Sequence, residues 1–140
     1  MEIPVDKIIK AAREAREYAY APYSQFKVGA AVLAGDGSVY TGCNVENISL
    51  GLTCCAERVA VFKAVSCGAR NILAVAVFAG TENFCPPCGA CLQVMAEFGQ
   101  NFPVYLAFGG GEYVVKYLSE LLPLGFGPDN WSGGEKCGSC

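Results

Sequence analysis

Residues 53–68 read TCCAERVAVFKAVSCG, and residues 72–78 read ILAVAVF. The first segment is a mostly apolar run ending on Gly68, the residue type that most readily takes the left-handed turn closing a helix. The second is a continuous apolar run of the kind that a sheet buries on both faces. A helix therefore leads into a central strand. Residues 88–99, CGACLQVMAEFG, repeat the arrangement with a helical pattern, a terminating Gly99, and a following strand over Val104 to Phe108. Helix-to-strand units in succession predict an α/β protein with a partly parallel sheet and helices on its faces.

Upstream, Val5, Ile8, Ile9, Ala12, Ala15 and Ala19 recur at helical spacing after Pro4, while Lys10–Glu14 and Arg13–Glu17 stand four apart as a solvated face. Phe26 to Ala34 and Val39 to Asn44 are β-rich and flank Gly35-Asp36-Gly37, which predicts an antiparallel hairpin. Downstream, Gly109 to Gly111 lacks the spacing of a nucleotide-binding loop and reads as a tight turn. A short strand around Val114 to Tyr117 and a turn at residues 119–123, SELLP, follow. One domain is expected over residues 1–128, with a Gly-rich tail over 129–140.

A chain of 140 residues can bury roughly 68 to 70% of the surface that its unfolded form exposes. It can fold on its core alone. With 53% hydrophobic and 16% charged residues, it has the composition of a globular protein. A net charge of −3 gives no basic stripe for neutralising phosphates, so nucleic acid is not an expected partner. The longest apolar stretch, Ile72 to Ala79, is far short of the ~20 residues that span a bilayer, and no export signal opens the chain. A cytoplasmic protein without a membrane partner is expected. Nine cysteines, an odd number, then point to thiols available for metal rather than to a disulfide framework. The absence of histidine leaves acid–base chemistry to Glu, Asp, Lys or Tyr.

Cys88 and Cys91 stand three apart at the start of a helix, so both sulfurs can point at one ion. Pro86 and Pro87 hold Cys85 outside that helix. A third thiolate is available where the opening stretch begins its helix. Residues two apart in a regular helix point in nearly opposite directions, so Cys55 and Glu57 reach one ion only if Cys55 caps the helix. Cys54 is then a buried thiol or packing residue. Helix N-termini aim positive partial charge at the sulfurs and ease thiolate ligation. Three thiolate ligands leave the fourth position of a tetrahedral zinc open, a position that in such sites carries a water whose pKa can fall to ~7. Glu57 beside it can shuttle protons, and Arg58 can temper the thiolates by hydrogen bonding to one of them.

The pattern CAE followed by PCxxC resembles the zinc nucleobase-deaminase signature, with cysteine in place of the usual histidine. The segments YSQFKVGAAV, GCNVEN, CAER, PCGAC and LLPLGFGP, in this order and spacing, resemble the small homotetrameric cytidine deaminases over roughly residues 5 to 130. That resemblance implies a single-domain, three-layer α/β/α fold on a mixed five-stranded sheet. It implies one zinc per chain on Cys55, Cys88 and Cys91, with Glu57 as proton shuttle. It also implies a nucleoside substrate, with Asn44 and Glu46 at the ribose, Phe26 beside the pyrimidine and the Ala56 backbone at the base. A homotetramer with shared active sites follows, Phe126 reaching into a neighbouring subunit's site. Leu50 and Leu92 depart from the family pattern, standing where many members carry a tyrosine and an arginine.

Taken singly, the same residues have plainer readings. Phe26 would be an ordinary core strand residue, Asn44 and Glu46 strand-end polars, Arg58 a surface charge, and Cys43 and Cys67 small buried hydrophobes. The thiols could form a structural zinc site closed by Cys85, Cys54 or Cys43, making the chain a zinc-stabilised binding domain. An iron–sulfur reading of Cys85, Cys88 and Cys91 fails because Met95 stands where the next cysteine should be. The terminal Cys137 and Cys140 have no assigned function. A modified or antibiotic cytosine nucleoside is an alternative substrate.

Overall fold

A computed structural model describes residues 2–130; the Cys137–Cys140 pair and most of the expected tail lie outside them. The elements, in chain order, are α1 (Val5–Arg16), β1 (Gly29–Ala34), β2 (Val39–Cys43), α2 (Ala56–Ser66), β3 (Ile72–Phe78), α3 (Gly89–Glu97), β4 (Pro103–Phe108), β5 (Glu112–Tyr117) and α4 (Leu118–Leu121), with 3-10 turns at Leu50–Leu52 and Pro128–Asn130. The strands form one five-stranded sheet in the order β2-β1-β3-β4-β5. β3 and β4 are parallel, as the crossover through α3 requires, and the other pairs are antiparallel. The sheet is therefore mixed, and the fold is α/β.

Alternation along β1 divides the core. Ala31 and Leu33 face α1, where Ile8, Ile9 and Ala12 are buried, while Ala30 and Val32 face the opposite layer built from α2 and α3. Helices thus cover both faces, the three layers expected. Close approach is achieved by removing side chains. A Cβ on Gly42 would lie 2.4 Å from the Ala60 nitrogen and 2.7 Å from the Ala56 carbonyl oxygen, so the small face Ala56-Ala60-Ala64 of α2 rests directly on the β2 backbone. Gly29 does the same for α1, where a Cβ would lie 1.9 Å from the Ala12 oxygen. These contacts fix where α2 begins.

Some boundaries differ from the sequence reading. α1 ends at Arg16 rather than Ala19, because Tyr20 donates its N–H to Asn44 O (2.9 Å) and accepts from Glu46 N (2.9 Å), pairing that segment with residues 44–46. β1 starts at Gly29 rather than Phe26, since the Val28 N–H and the Phe26 carbonyl oxygen bond to the Asn44 side chain instead of to a neighbouring strand. Phe26 is consequently 38% exposed and not a core strand residue. The 119–123 turn includes part of a helical turn, α4, whose N-terminus is capped by Glu120 accepting from Tyr117 N at 2.8 Å and whose Leu118 is buried. Cys43 is half-buried and Cys67 exposed, so neither is the buried hydrophobe expected. Among the described residues no helix is long and apolar enough to cross a membrane.

Candidate active site

Cys55 and Cys88 are built alike. Each is the residue immediately before a helix, in extended conformation (φ −69°, ψ 156° and φ −72°, ψ 167°), and neither uses its side chain to cap the helix. Their sulfurs are free to point past the helix ends. Cys91, in the first turn of α3, is fully buried and completes the group. The three sulfurs lie within 4.8 Å of one another, with Cys55–Cys88 at 3.9 Å and Cys88–Cys91 at 3.5 Å. Zn–S bonds of ~2.3 Å at tetrahedral angles put sulfurs ~3.8 Å apart, so the cluster fits zinc. Cys43, Cys54 and Cys85 are not part of it. Cys54 is half-buried, its backbone paired with Val45.

The electrostatics suit thiolate ligation. Cys55 accepts from Cys91 and from Arg58, whose Nη2 is 3.5 Å away, and these donors bring its pKa down to about 5. Cys91, which gives its proton to that interaction and is buried, moves in the opposite direction. Arg58 is not the surface charge that its residue type suggests. Its Nε is buried and has no hydrogen-bond partner among the described residues. Leu92, by contrast, turns into the core between the helices and the sheet.

Glu57 sits in the first turn of α2 at 5% exposure, and burial lifts its pKa to about 7. It lines a cavity of about 270 Å³ together with Phe26, Asn44, Glu46, Cys55, Ala56 and Cys88. Five of the residues marked in the sequence for substrate or chemistry, Phe26, Asn44, Glu46, Ala56 and Glu57, thus surround one space with two of the thiols. Phe126 does not line it; that residue is exposed, and its carbonyl oxygen accepts from Gln93 Nε2 at 2.6 Å. A larger groove of about 450 Å³, bordered by Arg70, Glu97 and Asp129, contains none of these groups.

Asn44 and Glu46 are not two ends of a strand face, because β2 stops at Cys43. Asn44 is buried, accepting from Val28 N at 2.9 Å and donating to Phe26 O at 2.8 Å. Glu46 accepts from Tyr23 N at 3.0 Å, Ser24 N at 3.1 Å and the Ser24 hydroxyl, which together hold its carboxyl below the usual carboxylate range. Both residues therefore hold the segment that carries Phe26. Sequence reading missed Ser24, Val28, Thr53, Val77, Cys85 and Pro86 in the cavity wall. Ser24 and Val28 lie inside the YSQFKVGAAV segment, and Cys85 and Pro86 just before the PCGAC helix, which were the hints the sequence carried.

Residues 4–107 match the family model described as the cytidine and deoxycytidylate deaminase zinc-binding region. The chain is 50% identical over 129 residues to a cytidine deaminase of Sporosarcina psychrophila, covering 91% of this chain and 95% of that one. It is 55% identical over 120 residues to a cytidine deaminase of Halalkalibacterium halodurans, covering 85% and 91%. The crystal structure of cytidine deaminase from Burkholderia pseudomallei superposes with a TM-score of 0.84 at 48% identity, covering 89% of this chain and all 100% of that one. A cluster fit for zinc beside a buried carboxyl, and likeness of this extent on the same fold, lead to one conclusion: the chain belongs to the cytidine and deoxycytidylate deaminase family defined by that zinc-binding region.

Proposed function

We propose that this chain is a zinc-dependent hydrolase that deaminates cytidine and deoxycytidine to uridine and deoxyuridine in pyrimidine salvage. The observation that carries the reading is Glu57, a carboxyl at 5% exposure in the wall of the cavity that Cys55 and Cys88 also line. A structural zinc site has no use for a buried acid there. Zinc held by Cys55, Cys88 and Cys91 would supply a Lewis acid that makes water nucleophilic near neutral pH.

The chain's own residues do the rest. Glu57 takes the proton released as water adds to carbon 4 of the cytosine ring and delivers it to ring nitrogen 3. It then moves a second proton to the exocyclic amine, so that ammonia leaves and a uracil ring remains. A carboxyl held near neutrality is suited to accept and return protons in turn. Arg58 donates to Cys55 and draws charge from a thiolate set that would otherwise be too electron-rich. Phe26, Val28 and Val77 give the cavity apolar wall against which a pyrimidine can pack with water excluded. Ala56, at the first helical position, has an N–H without an intrahelical partner, available to the base. Asn44 and Glu46 serve the sugar hydroxyls.

Further parts of the proposal rest on the resemblance and on surface character. The chain acts as a homotetramer, with Phe126 completing a neighbour's site; exposed Ile48, Leu50, Leu52 and Phe126, at 77%, 71%, 71% and 55%, give apolar surface for such contacts. The catalytic unit is residues 1–128. A cytoplasmic location is part of the proposal, supported by the free cysteines among the described residues.

The test combines a zinc assay with ultraviolet-monitored deamination of cytidine, deoxycytidine and a modified cytosine nucleoside. Turnover of the first two is expected. A protein that binds zinc and releases no ammonia from any of them is a zinc-stabilised binding domain instead. Sedimentation at assay concentration tests assembly, and a fully active monomer defeats the tetramer.

A further inference from the structure

Phe26 stands at the cavity on a segment that is not a strand, so something other than a sheet ladder must hold it. Within this segment Gln25 takes a left-handed conformation (φ 57°), which costs a non-glycine residue energy and persists only where its surroundings impose it. Those surroundings can be traced atom by atom. Asn44 Nδ2 donates to the Phe26 carbonyl oxygen at 2.8 Å, and Arg16 Nε donates to the Lys27 carbonyl oxygen at 3.0 Å. The Phe26 N–H donates to Ser24 Oγ at 3.0 Å. Ser24 Oγ in turn donates its own proton to Glu46 Oε2, while Glu46 Oε1 accepts the amides of Tyr23 and Ser24. Ser24 is therefore the link through which the Glu46 carboxylate fixes the Phe26 backbone.

The count of acceptor positions adds a second consequence. A carboxylate has about four lone-pair directions, and the three bonds just described occupy all but one of them. The remaining direction is on Oε2, the oxygen that Ser24 already touches, and both side chains line the cavity. We propose that Ser24 is a positioning residue for substrate binding: its hydroxyl couples Glu46 to Phe26, holding the ring at the cavity wall and leaving Glu46 one acceptor for a substrate hydroxyl. The proposal rests on the nucleoside-deaminase reading. Loss of the hydroxyl frees the Phe26 N–H and allows Gln25 to relax from its left-handed conformation, whereas the thiols and Glu57, on other elements, keep their places.

The test uses the zinc-loaded full chain and the variants Ser24→Ala and Ser24→Thr. Because Ser24 is exposed, neither substitution disturbs the core. Ser24→Ala should raise KM for cytidine about tenfold, the effect of one charge-assisted hydrogen bond, with kcat within about threefold. Ser24→Thr, which keeps the hydroxyl, should recover most of that loss. Amide exchange supplies a readout independent of turnover: the Phe26 N–H should exchange more than about tenfold faster in Ser24→Ala, while the Val28 N–H, held by Asn44, stays protected. Unchanged KM in Ser24→Ala, an effect confined to kcat, or a threonine variant no better than alanine overturns the proposal, as does an unaltered Phe26 exchange rate. A wild-type protein that turns over no cytosine nucleoside is a separate result, which removes the deaminase reading and this proposal with it.

Discussion

The sulfurs of Cys55 and Cys88 lie 3.9 Å apart although the two residues are 33 positions apart in the chain, and each projects from the residue immediately before a helix. This juxtaposition of helix N-termini makes the cluster a three-thiol site, since Cys91 follows Cys88 by one turn. Substitution of Cys55, Cys88 or Cys91 by alanine should each abolish binding of one zinc per chain, whereas Cys85→Ala should retain it. Metal analysis of the purified variants decides the point. A Cys85→Ala protein that loses its metal while Cys55→Ala keeps it would place the site on the wrong thiols.

Glu57→Gln keeps size and hydrogen-bonding capacity but cannot carry a proton. The variant should fold, hold zinc and bind nucleoside, and deamination should fall by at least about 10⁴-fold, the upper end for acid–base catalysis because one residue serves both transfers. Steady-state rates, read beside zinc content and binding of the product uridine, check this. Activity within tenfold of wild type would rule out the assigned role.

The metal-stripped protein offers a test by pH. Burial raises the Glu57 pKa from 4.5 to about 7, so between those values the folded state holds a proton that the unfolded state has released. Its contribution is present in full below the unfolded value and is lost as pH rises through the folded one. Relative to Glu57→Gln, wild type should therefore lose stability on the order of 3 kcal/mol between about pH 4.5 and about pH 7, and no more above that. Urea unfolding after chelation, across that range, measures the difference. Parallel curves for the two proteins would sink the assignment of a buried, proton-holding Glu57.

Gly42→Ala should injure both fold and site. The added methyl would lie 2.4 Å and 2.7 Å from backbone atoms of α2, which cannot yield as a side chain does, so the helix must move and carry Ala56 and Glu57 with it. A loss of about 3 kcal/mol from overpacking is expected, with deamination down about 100-fold from the displaced acid. Gly110→Ala, with nothing within 4 Å, should be close to neutral and serves as the control. Thermal unfolding and rates of the pair of variants test the argument.

Periodicity and punctuation alone established much of this molecule. The apolar run at Ile72–Phe78 occupies the strand it announces, and the requirement that Cys55 precede its helix follows from the directions of neighbouring side chains, a property of any helix. Such features are local, decided by residues within a turn of one another. What needed the folded chain was each statement about exposure, partner and pKa between distant segments. Glu57 holds its proton toward neutrality because α2, lying against Gly42 of β2, carries it into the interior, and Phe26 left the core because the side chains of Asn44 and Ser24 take the hydrogen bonds of its backbone. Those outcomes depend on which groups lose water together, and a linear pattern of residue types does not carry that information.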